Sequence, residues 1–224
     1  MLIVANWKAY VETPKLAKAL LASASRLVRK GIQIVLVPPA PYLGLLAPGT
    51  RSKIAFGVQD VSDVAGGAAT GETTAAGARG LGATYAIVGH SERRARGETD
   101  AHIVGKAQQA LSHGLQPILC VGERERDTEA QYLHFIRDQI NTVFQHLTQE
   151  ERSRVIVAYE PVWAIGKSAN EAITPSDLTE MILYIRKILL VQVPGGRVQV
   201  LYGGSVEPGN AASLADTGVD GFLI

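Results

Sequence analysis

Cysteine is almost missing from this sequence of 224 residues. The single thiol, Cys120, leaves no intrachain disulfide to form and none of the multi-cysteine metal frameworks. It fits a reducing compartment. An excess of one charge is missing too: 22 Lys and Arg against 21 Asp and Glu give a net charge of +1. That balance excludes a polybasic nucleic-acid surface, whose footprint is a charge excess. No apolar run approaches the ~20 residues of a membrane span. Residues 1–7 lack the basic n-region and the apolar length of a signal peptide. The sequence therefore predicts a soluble, cytoplasmic protein with neither nucleic acid nor membrane as partner. Hydrophobic residues make up 46% and charged ones 19%, enough apolar surface to bury a core and exclude disorder. The length suits one domain over residues 1–224. Glycine, with 23 residues, stands above its usual share of about 7%.

What the sequence does contain is an alternation. Short apolar runs recur at Leu2–Ala5, Ile32–Val37, Ile54–Val58, Tyr85–Val88, Pro117–Val121, Val155–Tyr159, Val198–Tyr202 and Gly221–Ile224. Continuous runs of this kind suit strands buried on both faces, as in parallel sheets. Helix-period segments lie between them. Thr13-Pro14 opens one as N-cap and first helical residue, with Leu16, Leu20, Leu21, Leu27 and Val28 as its apolar stripe and Gly31 as its stop. Thr174-Pro175 opens another, carried by Leu178, Ile182, Ile185 and Leu189. Residues 73–81, 100–113, 129–146 and 209–216 read the same way.

Repeated βα units imply an α/β fold with a parallel sheet and right-handed crossovers. Eight strands predict a closed (β/α)8 barrel. A doubly wound open sheet is the competitor, and its nucleotide fingerprints are missing. Gly80-x-Gly82 has Tyr85 in place of the third glycine. Gly166-Lys167-Ser168 has Pro161 where a P-loop needs glycine.

Chemistry in such a barrel sits at the C-terminal ends of the strands. There the sequence places Asn6-Trp7-Lys8, His90-Ser91-Glu92, Glu160 to Gly166, and Tyr202-Gly203-Gly204-Ser205. These supply a base, an electrophile, a charge stabiliser and a glycine-rich anion nest on one mouth. Abstraction of a carbon-bound proton needs a base in a dry pocket, which residues 161–166 could close over. The resulting oxyanion needs fixed donors, and a phosphate needs backbone N–H groups that glycine turns bring close.

Asn6-Trp7-Lys8, Gly89–Arg94, Cys120-Val121-Gly122-Glu123, Ala158–Gly166 and Tyr202–Val206 together resemble the triosephosphate isomerase family, in its order and spacing from residue 2 to 224. The resemblance implies the TIM barrel and the interconversion of dihydroxyacetone phosphate and glyceraldehyde 3-phosphate, in glycolysis and gluconeogenesis. It makes Glu160 the base, His90 the neutral proton shuttle, Lys8 the charge stabiliser and Asn6 a positioning group. Gly166, Gly203, Gly204 and Ser205 become the phosphate site, with Ser91, Glu92 and Tyr202 in support. It implies no metal and no organic cofactor. It makes the loop from Gln59 to Glu72, with its Thr70-Gly71-Glu72 tip, the contact of a homodimer, although Ala69 replaces the family's usual aromatic.

Cys120 reads as a small buried side chain. Residues 123–127 read as a solvated loop face, and His102, His113, His134 and His146 as solvated helix residues. The stretch after Arg94 is one residue shorter than the family's. The segment from Gly166 to Pro175 is about two longer, with Ser168 in place of a lid glycine. The sequence ends at Ile224, where the family continues into a Gly-Gly phosphate turn and a last helix. On that comparison the barrel lacks its final helix and about two phosphate donors worth roughly 1.5–3 kcal/mol each, so slower turnover is expected. The alternative reading is a weak or inactive barrel that acts as an oligomeric or fragment-complementing protein.

Overall fold

The structure, a computed structural model, describes residues 1–50, 53–166 and 172–224. The expectation for Ser168 lies outside those residues. Eight parallel strands close into a barrel in the order β1 to β8. They are β1 (Leu2–Asn6), β2 (Gln33–Val37), β3 (Ala55–Val58), β4 (Tyr85–Val88), β5 (Gln116–Val121), β6 (Ile156–Tyr159), β7 (Val200–Tyr202) and β8 (Gly221–Leu223). Each falls on one of the apolar runs. Closure comes from β8 pairing with β1 in the register Leu2↔Gly221, Ile3↔Phe222, Val4↔Leu223. A Cβ on Gly221 would stand 1.8 Å from the Leu2 carbonyl oxygen, so glycine lets this seam form.

Alternate strand residues point into the barrel. Leu2, Val4, Val35, Val37, Ile87, Ile118, Cys120, Ile156, Ala158 and Leu201 make one buried cluster, which fills the interior rather than leaving a pore. The other face of the sheet packs on the helices. These are α1 (Pro14–Leu27), α2 (Ala40–Leu46), α3 (Ala75–Gly80), α4 (Ser91–Arg94), α5 (Asp100–Ser112), α6 (Gln131–Phe144), α7 (Gln149–Ser153), α8 (Pro175–Gln192) and α9 (Ala211–Ala215). Side-chain caps start several of them: Thr13, Thr74, Thr99, Thr148 and Thr174 each accept a backbone N–H of the first turn.

The expected stripe of α1 is narrower than its sequence suggests. Leu16 is 43% and Leu27 62% exposed, while Leu20, Leu21 and Val28 pack against the core. The helix ends at Leu27 rather than running up to Gly31, which serves the following turn at φ 85°. Helix α6 starts two residues later than the pattern suggests, because Asp127 accepts the N–H groups of Glu129, Gln131 and Tyr132 and fixes its first turn. Those bonds, the one from Gln131 foremost, hold the Asp127 carboxyl below its usual value.

Candidate active site

The strand ends gather the first polar residues of the loops around one opening. Strand β1 delivers Asn6 and, two residues on, Lys8. Lys8 has a φ of 44°, a left-handed conformation costly for a residue with a Cβ. Two bonds hold it there. Its N–H donates to Asn6 Oδ1 at 3.0 Å, and Gln59 Nε2 donates to its carbonyl at 2.8 Å. Strain of this kind persists only where the surroundings over-determine it. The ammonium meets Glu92 Oε1 at 2.8 Å, with the two side chains 29% and 57% exposed. Pairs this exposed contribute little, so Lys8 can exchange Glu92 for an anionic ligand at small cost. Partial burial works against it, yet the hydrogen bond and charge of Lys8 hold the Glu92 carboxyl below its usual range.

Strand β4 delivers His90, which caps α4 and is buried. The Glu92 N–H donates to its Nδ1 at 3.1 Å. A backbone N–H can only donate, so Nδ1 presents its lone pair and a neutral ring carries its hydrogen at Nε2. That nitrogen lies 3.3 Å from Glu160 Oε1. Glu160 follows β6 and is 3% exposed, and its Oε2 accepts the Ser91 N–H at 3.3 Å. A buried carboxylate and an imidazole N–H thus face each other in a water-poor setting.

Glycines make this approach possible. A Cβ on Gly122 would sit 1.9 Å from the Glu160 carbonyl oxygen, and one on Gly203 would sit 2.8 Å from Glu160 Cγ. A Cβ on Gly204 would strike the Tyr202 hydroxyl at 2.2 Å. That hydroxyl is buried without a hydrogen-bond partner among the described residues, and burial pushes its pKa upward.

A cavity of about 160 Å³ unites Asn6, Lys8, His90 and Glu160 with Gly166, Gly203, Gly204 and Ser205. It is smaller than the ~300–1,000 Å³ of drug-sized pockets and suits a small ligand. Ser91, Glu92 and Tyr202 stand behind this wall: Ser91 holds Glu160, Glu92 holds His90 and Lys8, and Tyr202 fills the space under Gly204. The Ser205 hydroxyl donates to the Ala164 carbonyl at 3.0 Å and ties the turn after β7 to the turn after β6. A larger cavity, about 590 Å³, also touches Glu160. Its other walls include Arg94, Glu98, Arg124 and Phe135 rather than Asn6, Lys8 and His90, so it does not bring the expected site residues together.

The sequence model of the triosephosphate isomerase family matches residues 1–224. The chain belongs to the triosephosphate isomerase family. It is 40% identical to the triosephosphate isomerase of Marinobacter nauticus, covering all of this chain and 90% of that one. It is 40% identical to that of Cupriavidus taiwanensis, covering all of this chain and 92% of the relative. It is 37% identical to that of Symbiobacterium thermophilum, over all of this chain and 90% of the relative.

One expectation is overturned. Residues 123–127 are not a solvated face throughout, because Glu123 is 1% exposed. Its Oε1 accepts the Tyr159 hydroxyl at 2.9 Å, Trp163 Nε1 at 2.8 Å and Arg126 Nε at 3.3 Å. Five consecutive charged residues look like a surface, but two aromatic donors, Tyr159 at the end of the next strand and Trp163 just after it, draw the first of them inside. Gln59, expected to begin the oligomer loop, instead turns inward onto Lys8 and the Val37 carbonyl. Cys120 is buried. Burial first, then the neighbouring Glu160 carboxylate, pushes its thiol well above the usual value, which leaves no thiolate for nucleophilic chemistry. Among the described residues no group of three or more His, Cys, Asp or Glu could hold a metal ion, and no helix is long and apolar enough to cross a membrane.

Proposed function

We propose that this protein is the isomerase that interconverts dihydroxyacetone phosphate and D-glyceraldehyde 3-phosphate through an enediolate, in glycolysis and gluconeogenesis. Glu160 takes a proton from one carbon and returns it to the next. His90, neutral and protonated at Nε2, donates to the carbonyl oxygen as negative charge develops there and passes the proton between the two oxygens. This family is itself a well-known illustration of a carboxylate working beside a neutral histidine. Lys8 stabilises the enediolate and the phosphate, and Asn6 positions the substrate. Backbone N–H groups of Gly166, Gly204 and Ser205 receive the phosphate, whereas that of Gly203, expected to share in this, is taken by the Tyr159 carbonyl at 2.8 Å, and Gly203 serves as a wall of the cavity. The observation that carries the reading is the single small cavity on which these eight residues converge. The match to the family along the whole chain favours it over an inert barrel. The test is isomerisation in heavy water, followed by a coupled assay and mass analysis of the product. Proton transfer through solvent-exchanging groups is expected to place deuterium on the product carbon. A product free of deuterium, or no turnover at all, would overturn it.

The chain is read as one domain, acting in the cytoplasm as a homodimer. Residues 64–72 support the dimer: they project as a largely exposed loop whose neck is closed by the Ser62 N–H on the Thr73 carbonyl at 2.8 Å. Sedimentation is expected to give twice the monomer mass of 23.8 kDa. A monomer at all concentrations would exclude this part of the reading.

A further inference from the structure

Arg126 is not needed for any step above, yet it occupies the junction behind the catalytic carboxylate. Its guanidinium touches four elements. It lies 5.3 Å from the Tyr132 ring centroid at the start of α6 and 5.1 Å from the ring of Trp163 in the turn after β6. Its NH2 group donates to the Tyr159 hydroxyl at 3.4 Å at the end of β6, and a second terminal nitrogen pairs with Asp177 in the first turn of α8 at 3.7 Å. Its Nε donates to Glu123 Oε1 at 3.3 Å. The Arg126 side chain is 24% exposed, whereas that of Glu123 is 2% exposed.

The charge arithmetic gives this contact its weight. Glu123 is buried, and among the described residues its Oε2 has no hydrogen-bond partner and the cation paired with it is Arg126. Without that cation the buried charge stands uncompensated, a situation proteins avoid by movement or protonation. Glu123 in turn grips the segment that bears the base. Its carboxylate accepts the Trp163 indole N–H at 2.8 Å, and its backbone carbonyl accepts the Val162 N–H at 2.9 Å. Glu160 lies two and three residues before those anchors, and its own contacts to Ser91 and His90 are both 3.3 Å long. Bonds that long have no slack, so a small shift of residues 160–163 breaks them.

We infer that Arg126 is a positioning residue that neutralises Glu123, stacks on the Trp163 indole and so holds the Glu160–Gly166 segment in register with His90. Lysine cannot reproduce this, since one ammonium cannot both pair with Glu123 and stack between two rings as a planar guanidinium does. The inference rests on the proposed isomerase reading for its kinetic part only.

The experiment compares Arg126→Met and Arg126→Lys with the wild type in kcat and KM. It also records Trp163 emission in a Trp7→Phe background, since the chain has only two tryptophans. Misplacing a reacting group by about 1 Å can cost ~10²-fold. Arg126→Met is expected to lower kcat by roughly 10- to 100-fold with KM changed less than about threefold, and to shift the Trp163 emission without any ligand. Arg126→Lys should recover part of kcat but not the emission. Unchanged kcat together with an unshifted Trp163 band overturns the proposal. Should Arg126→Met fail to fold, Tyr132→Leu keeps the charge and removes one stacking face. It is then expected to shift the emission and lower kcat in the same direction, and no change in either overturns the proposal. If the wild type does not isomerise, the functional reading fails separately. The emission shift then decides alone whether Arg126 holds the indole.

Discussion

Glu160→Gln is expected to lower kcat/KM by about 10²–10⁴-fold, the range that general acid–base groups supply. The substitution is nearly isosteric, so it removes the proton-accepting carboxylate with little change of volume. The amide oxygen can still accept the Ser91 N–H, and the side chain keeps the space that Gly203 leaves open beside its Cγ. What it loses is the ability to take a proton from carbon and, because its NH2 then faces the Nε2–H of His90, the 3.3 Å contact to that ring. Stability is not expected to fall, because the change removes a charge from a site only 3% exposed, where an ionised carboxylate carries a desolvation cost. Glu160→Asp separates charge from position. It keeps the carboxylate but withdraws it by one methylene, and a displacement near 1 Å is worth about 10²-fold. Steady-state kinetics beside thermal unfolding checks both variants. A loss below tenfold in Glu160→Gln, in protein that melts like the wild type, would move the base to another residue.

How far the site could be read from the sequence follows from what each signal depends on. The eight strands were legible because strands buried on both faces must be apolar throughout, and the turns between them carry glycine, proline or charge. The candidate set was legible as a cluster because the fold brings strand ends together, so Asn6, Lys8, His90 and Glu160 needed only their places at the ends of β1, β4 and β6 to line one cavity. Helix α2 was not legible. Its start, Pro38-Pro39-Ala40-Pro41, reads as a breaker, although proline in a first turn forfeits only hydrogen bonds that have no partner there. Leu16 and Leu27 fit the helical period of α1, but period alone does not say how wide a stripe the sheet covers. Glu123 and Arg126 were hidden for a related reason. A charge run is solvated unless donors from elsewhere in the chain reach it, and here Tyr159 and Trp163 arrive from more than 35 positions away. The glycines were visible as an excess, but their purpose was not. The resemblance makes both Gly203 and Gly204 phosphate donors, but the Gly203 N–H is bonded to the Tyr159 carbonyl, and both positions must be free of side chains to seat Glu160 and Tyr202.

Gly122→Ala carries that last point into a measurement, since it should damage stability and catalysis through one contact. The new Cβ would lie 1.9 Å from the Glu160 carbonyl oxygen and 2.5 Å from its carbonyl carbon. Both are backbone atoms, and neither can rotate aside. The chain on either side is pinned as well: the Glu160 N–H donates to the Val121 carbonyl at 2.7 Å, and the Gly122 N–H donates to buried Gln139 Oε1 at 2.8 Å. Ordinary overpacking costs about 1–3 kcal/mol, occasionally more, and a clash between two strand ends of a closed barrel belongs at or above the top of that range. Relief requires Glu160 to move by about an ångström, so the folded fraction should also lose on the order of 10² in kcat. Gly221→Ala supplies the contrast. Its Cβ would meet the Leu2 carbonyl oxygen at 1.8 Å, a clash of the same severity at the β1–β8 seam and not against Glu160. It should cost comparable stability and leave the folded fraction with a kcat much nearer the wild type. Gly209→Ala, with no heavy atom within 4 Å of its added Cβ, should alter neither. Denaturant titration with kcat measured well below each midpoint distinguishes the three. Equal kcat in folded Gly122→Ala and Gly221→Ala would mean that the backbone of Glu160 absorbs the clash without moving its carboxylate, and that Gly122 serves the barrel alone.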